Sequence, residues 1–165
     1  MNTATAAGAV GKLIDGYVAR GVFRAAPLSP DADGHASFRI VWFQNQTMTL
    51  TVDGLRAEVR LNNLMPRIAP RSRLDRQLRA WLRSRSAAGL PAHRRLDPAQ
   101  FDASLRNRAG CMQLGIACRG GDLVGAASKL LKLGNELYLD FFSAPAQYHW
   151  IVETFDLDPD NPRWP

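Results

Sequence analysis

The side chains best equipped for chemistry are cationic or nucleophilic, and they fall into three groups. His93-Arg94-Arg95, with Asp97 close behind, places two guanidinium groups and an imidazole in a turn-rich stretch. Guanidinium forks grip carboxylate or phosphate, and imidazole changes charge near neutral pH, so this triplet is a candidate anion- or partner-binding site. Its alternative is a solvated loop in which Asp97 pairs with an arginine and His93 closes the turn. Arg73, Arg76, Arg79 and Arg83 recur at helical spacing and form the second candidate, because such a row can track a phosphate backbone or face an acidic partner. It can equally be a solvated helix face, and no aromatic residues that would stack bases are interleaved with it.

Cys111 and Cys118 form the third group. A nucleophilic thiol needs a lowered pKa and a base nearby. Cys111 follows Gly110 at a hairpin and Cys118 sits inside an alternating run, so both read as small buried hydrophobes. His35, His93 and His149 are scattered, without H-x-x-H, HExxH or C-x-x-C spacing, so no metal site is expected. Gly120-Gly121 precedes a helix but lacks a phosphate-loop pattern, and Asp122 at the helix start would repel an anion. No catalytic residue and no cofactor is assigned; an enzyme using His93 or Cys111 would need those groups inside one pocket.

The net charge of +6 is unevenly spread. Residues 1–55 are balanced, 56–119 hold fourteen arginines against four acids, and the remainder holds seven acids against three bases, so a basic middle meets an acidic end. Only Lys12, Lys129 and Lys132 are lysines, and an arginine bias beside abundant Ala and Gly weakens any inference from charge alone. The chain is 165 residues long and 46% hydrophobic, which suits one globular domain that buries its core without disulfides or metals.

No apolar run reaches the roughly 20 residues of a membrane span, and the first thirty residues lack the pattern of a secretory leader, so no membrane association and a cytoplasmic location are expected. Cys111 and Cys118 are seven positions apart in a predicted strand, about 23 Å. A disulfide tolerates about 7 Å, so both are expected as free thiols.

The elements that must position these residues follow from periodicity. Val10, Leu13, Ile14, Tyr17 and Val18 make one stripe of a helix that ends at Gly21, and Ala26 to His35 reads as a loop. Three alternating runs, Phe38–Phe43, Thr47–Val52 and Leu55–Leu61, make an antiparallel meander, with Asp53-Gly54 as a hairpin signal. The first run is apolar on both faces at Val41 and Phe43, a candidate apolar interface covered by a partner subunit or by the last helix.

Ser72 and Asp75 open a second helix as a capping pair, with Leu74, Leu78, Trp81 and Leu82 on its core face; Gly89 and Pro91 stop it. Phe101–Arg106 and Met112–Cys118 form a second hairpin. Asp122 caps a long helix lined by Leu123, Ala127, Leu130, Leu131, Leu137, Tyr138, Phe141 and Phe142, in which Gly134 marks close packing. Pro145 starts a short helix through Phe155, and 156–165 is an acidic, proline-rich tail, either mobile or a strap docked by Trp164. The reading is an α+β domain over 1–155 with an antiparallel sheet of about five strands covered by helices.

This α-βββ-α-ββ-α order, from Val10 to Phe142, resembles the type III secretion chaperone-like fold, which small bacterial proteins outside secretion share. The resemblance is one of topology and carries over no functional residues; secretion chaperones of that kind are typically acidic, unlike this chain. It implies a compact sandwich that dimerises and binds an extended segment of another protein. The expected function is a non-enzymatic protein-binding or chaperone-like module acting as a homodimer. The alternative is a nucleic-acid-binding protein using Arg73, Arg76, Arg79, Arg83, Arg94 and Arg95.

Overall fold

Five runs of alternating side chains and one short strand without alternation zip together into one antiparallel sheet. The computed structural model describes residues 3–29 and 35–160. Helix α1 (Thr3–Ala19) is followed by β1 (Arg24–Leu28), β2 (Ala36–Trp42), β3 (Gln46–Asp53) and β4 (Glu58–Met65), then α2 (Arg73–Ser84), the hairpin β5 (Phe101–Arg108) and β6 (Cys111–Cys118), α3 (Leu123–Glu136), a π-helical turn (Leu137–Phe141) and α4 (Pro145–Phe155). The strand order is β1-β2-β3-β4-β6-β5, so the meander and the later hairpin merge where β4 pairs with β6. The α+β reading holds, with one strand more than expected.

That extra strand, β1, overlaps the stretch read as a loop. Its sequence RAAPL has no alternation and contains Pro27, which only a strand with a free edge tolerates well; β1 is such an edge, paired to β2 alone. Within the stretch read as a loop, residues 30–34 lie outside the described residues, as do 161–165 of the tail, including Trp164. The described part of the tail turns back at Asp156, and the Tyr148 hydroxyl donates to the Pro159 carbonyl at 3.0 Å.

The third strand is displaced relative to its periodicity. Asp53 Oδ1 accepts from the amides of Leu55 and Arg56 at 3.0 and 2.9 Å, which builds a wider turn than a two-residue hairpin and leaves Leu55 87% exposed. Strand β4 therefore starts at Glu58 and runs to Met65, with Asn63 at φ 56° where its register to β6 shifts.

One face of the sheet carries the core. Ile40, Leu50, Val59, Leu61, Leu114 and Ile116 are fully buried beneath α1 and α3, each contributing roughly 1.5–3 kcal/mol by burial. The opposite face presents Arg39, Thr47, Thr49, Thr51, Asn62, Arg60 and Gln113, the wet side usual for antiparallel sheets. Helix α2 lies beside edge strand β5, its Ser72 hydroxyl accepting from Asp75 N at 3.2 Å as expected.

The long helix does not run on to Phe142 as an α-helix. It widens into a π turn, closed by Phe142 N donating to Leu137 O at 3.0 Å, which keeps Leu137, Tyr138, Phe141 and Phe142 all buried while Leu139 and Asp140 face outward. Gly134 is buried, but a methyl there would sit 3.5 Å from Trp42 and 3.6 Å from Leu61, ordinary contact distances. The packing is close without requiring glycine.

Candidate functional site

The end of α1, its turn into β1, the 91–96 loop and the exposed flank of α3 enclose a hollow of about 480 Å³. Its apolar lining is Tyr17, Val22, Trp42 and Leu131; its polar rim is His93, Arg94, Lys132, Asn135 and Glu136. A second hollow of about 500 Å³ shares Val22 and Trp42 with the first and continues past Arg24, Val41 and Asn45. Together they form a bent groove beside the β1 edge.

Local sequence explains the groove. Gly21 at φ 71° reverses the chain after α1, with Gly21 N bonding Val18 O at 2.9 Å and Val22 N bonding Tyr17 O at 3.1 Å. The reversal sets Val22 outside the helix stripe, 40% exposed, while Tyr17 stacks on Phe23 at 5.5 Å. Arg20 lies over the outer side of the Tyr17 ring at 4.5 Å, adding a cation near the rim. Lys129 Nζ donates to the carbonyls of Arg95 and His93 at 3.0 and 3.4 Å, which ties the 91–96 loop to α3.

Glu136 is the rim's acid, and it is neutralised twice. Arg85 donates to Oε2 at 3.1 Å and Arg94 to Oε1 at 3.2 Å; Arg94 also pairs with Asp140. The hydrogen bond and charge of Glu136, then the charge of Asp140, hold the Arg94 guanidinium pKa above its ordinary value. His93 and Lys132 remain exposed at the rim, in an ion pair with no acid among the described residues.

The sequence-derived candidates are thus partly gathered and partly dispersed. His93 and Arg94 reach the groove, whereas Arg95 is half-buried outside its lining. Among the described residues Asp97 pairs with no arginine; its Oδ1 accepts from Ala99 N at 3.0 Å. Arg79 does not stand on an exposed face, because its Nε donates to Asp75 at 3.1 Å and its Nη1 to the Leu105 carbonyl on the β5 edge at 2.9 Å. It ties α2 to that edge through Nε and Nη1, while its side chain stays 39% exposed. Arg73, Arg76 and Arg83 are exposed.

Phe43 is corrected as well. Positive φ at Phe43, Gln44 and Asn45 turns it out of the strand alternation, so it is 3% exposed and stacks on Tyr138 at 3.8 Å and Trp42 at 4.1 Å. Its cover comes from the chain's own π turn, and Phe43 is not an interface residue. Val41 stays half-buried on the open face and lines the second hollow.

Compared with known proteins, the chain matches no family model, no curated protein and no solved structure. Among the described residues, no group of three or more His, Cys, Asp or Glu is placed to hold a metal ion, and no helix is long and apolar enough to cross a membrane. Cys111 opens β6 on the open face of the sheet, while His93 lines the groove on the helix side, so the two are not brought together. Both cysteines are free.

Tyr17, Val22, Trp42, Leu131 and Lys132 were not singled out by sequence. Tyr17, Trp42 and Leu131 carry the periodicity of core residues; Leu131 and Trp42 are 1% and 6% exposed and only Tyr17 is half-buried, so they meet the hollow as its floor where α1 packs against α3. The one local signal was Val22, an apolar residue directly after a helix-ending glycine.

Proposed function

We propose that this chain is a non-enzymatic, chaperone-like module that holds an extended segment of another protein in the groove beside β1. The observation that carries the reading is an apolar floor of Tyr17, Val22, Trp42 and Leu131 under a rim on which Lys132 is a cation in no ion pair among the described residues and the His93 imidazole is exposed beside it. Such a site fits an apolar side chain flanked by acidic residues: burial supplies affinity, and complementary charge selects the partner and speeds encounter. The separation of His93 from Cys111 supports a binding role over catalysis. Free Cys111 and Cys118 support a reducing compartment such as the cytoplasm, and the topological resemblance supports a homodimer.

The test uses a labelled series of extended heptapeptides with a central Leu or Phe, flanked by Asp/Glu or by Lys, titrated by fluorescence anisotropy. Acid-flanked members are expected to bind about tenfold more tightly than Lys-flanked ones, and Val22→Asp and Lys132→Glu each to remove most of that preference. No binding by any member, or equal binding by both flank types, refutes the reading. Sedimentation of the full chain decides the dimer.

A further inference from the structure

Between β4 and α2 the chain makes a tight excursion that the structure stitches to the β5–β6 turn. Ile68 N donates to Gly110 O at 2.9 Å and Asn107 Nδ2 donates to Ile68 O at 2.8 Å, drawing residues 67–71 against 107–110. The stitching ties the segment that carries Arg67 and Arg71, and that leads into Arg73 and Arg76 on α2, to the turn that carries Arg108; all five are exposed, and Arg76 Nη1 donates to the Arg71 carbonyl at 2.7 Å. None of the five forms an ion pair among the described residues, unlike Arg60, Arg79, Arg85 and Arg94, which do. The acid closest in sequence to the first four is Asp75, which is 3% exposed and already engaged by Arg79 and by the Arg71 amide. Asp102 lies six residues back along β5 from Arg108, about 20 Å away.

Two of these arginines occupy positions the backbone would give to glycine. Arg67 and Arg71 have φ of 58° and 62°, a left-handed conformation costing a non-glycine residue roughly 1–2 kcal/mol. The turn itself would be more stable with glycine or asparagine there, so fold stability does not account for the arginines. Strain held in place by surrounding hydrogen bonds is a mark of working positions.

We propose that this arginine corner binds the phosphodiester backbone of a nucleic acid, independently of base sequence. Five guanidinium groups with no competing carboxylate match a chain of closely spaced negative charges. A protein partner needs an apolar anchor at the centre of its footprint, and none of the exposed large apolar residues, Val18, Val22, Leu28, Leu55 and Leu139, belongs to either segment. The absence of aromatic residues from residues 67–73 and 107–110 removes base stacking, and with it sequence preference. This surface differs from the helix face read from sequence: Arg67, Arg71 and Arg108 join it, and Arg79 and Arg83 leave it.

The test is anisotropy on a labelled 20-base-pair DNA duplex and on a 20-nucleotide oligouridylate, at several salt concentrations. Five contacts give a slope of log K against log salt of about −4.5 on duplex and about −3.5 on the single strand. The variant Arg67→Gly/Arg71→Gly removes two charges while relieving strain. It is expected to melt at or above the parent temperature, and to lose about two units of slope on duplex. Charge reversal at Arg119, an exposed arginine at the opposite end of the β5–β6 hairpin from Arg108, is the control and is expected to leave binding within about twofold. The proposal is overturned by undetectable binding at 50 mM salt, by equal losses in the control, or by poly-glutamate competing as well as unlabelled oligonucleotide, which would assign the corner to an acidic protein.

Discussion

Two glycines on one helix give opposite expectations when each is replaced by alanine, and the difference comes from where the added methyl lands. Gly134 lies near the end of α3, facing the sheet, and a Cβ there meets Trp42 at 3.5 Å, Leu61 at 3.6 Å and Leu64 at 3.9 Å. Those distances cost nothing, so Gly134→Ala keeps the full helix-propensity gain of about 1 kcal/mol. For a chain of 165 residues that is a rise in melting temperature of about 3 °C. Gly125 lies in the first turn, where the Asp122 carboxylate caps the helix by accepting from Gly125 N at 2.8 Å. A Cβ at Gly125 would come within 2.1 Å of Asp122 Oδ2, so the carboxylate must leave. Losing that cap costs about 1 kcal/mol and offsets the propensity gain, leaving Gly125→Ala neutral or worse. Urea and thermal denaturation of both variants beside the parent protein are the assay. The reasoning is refuted if Gly134→Ala destabilises by more than about 1 kcal/mol, the signature of overpacking, or if the two variants shift equally in the same direction.

Two further expectations concern buried titratable groups. The Tyr138 hydroxyl donates to Leu64 O at 2.7 Å, and Gln46 still reaches that carbonyl at 3.2 Å when the hydroxyl is gone, so Tyr138→Phe should cost only about 1 kcal/mol. Burial pushes the phenol pKa well above its ordinary value. The folded state therefore holds the proton more tightly than the unfolded one, and this contribution is intact below about pH 10 and declines above it by up to about 1.4 kcal/mol per pH unit. Urea titrations between pH 9 and 11 should show that decline to be smaller in Tyr138→Phe; identical slopes in both proteins would refute the assignment. Burial, and then the charge of Asp122, raise the Cys118 thiol pKa, and its Sγ donates to Ala57 O at 3.2 Å. With Ellman's reagent at pH 8, one thiol, Cys111, should react promptly and the second only as denaturant unfolds the chain, because only thiolate attacks; two equivalents at one rate would overturn this.

How far the sequence carried is best seen in particular elements. The core stripes of α2 and α3, the Ser72 and Asp122 caps and the pairing of Phe101–Arg106 with Met112–Cys118 all lie where periodicity and local hydrogen-bonding chemistry place them. These features depend on neighbours within a few residues. β1 escaped because an edge strand needs only one partner, so neither alternation nor the absence of proline is imposed on it. Phe43 departs from its periodicity because it, Gln44 and Asn45 all have positive φ, which breaks the period of two at the end of β2.

Charge was the property most thoroughly rearranged by folding. The sequence by itself determined an arginine-rich middle, an α+β alternation and two free thiols. It did not determine which arginines are spent and which are free, since that depends on partners far along the chain: Arg85 and Arg94 meet Glu136, Arg79 meets the β5 edge, and Arg67 and Arg71 are carried to Arg108 by bonds to the 107–110 turn. A guanidinium group is legible as a charge from one letter, but whether that charge is neutralised is fixed by distances of a few ångströms between segments tens of residues apart, and only the tertiary structure sets those.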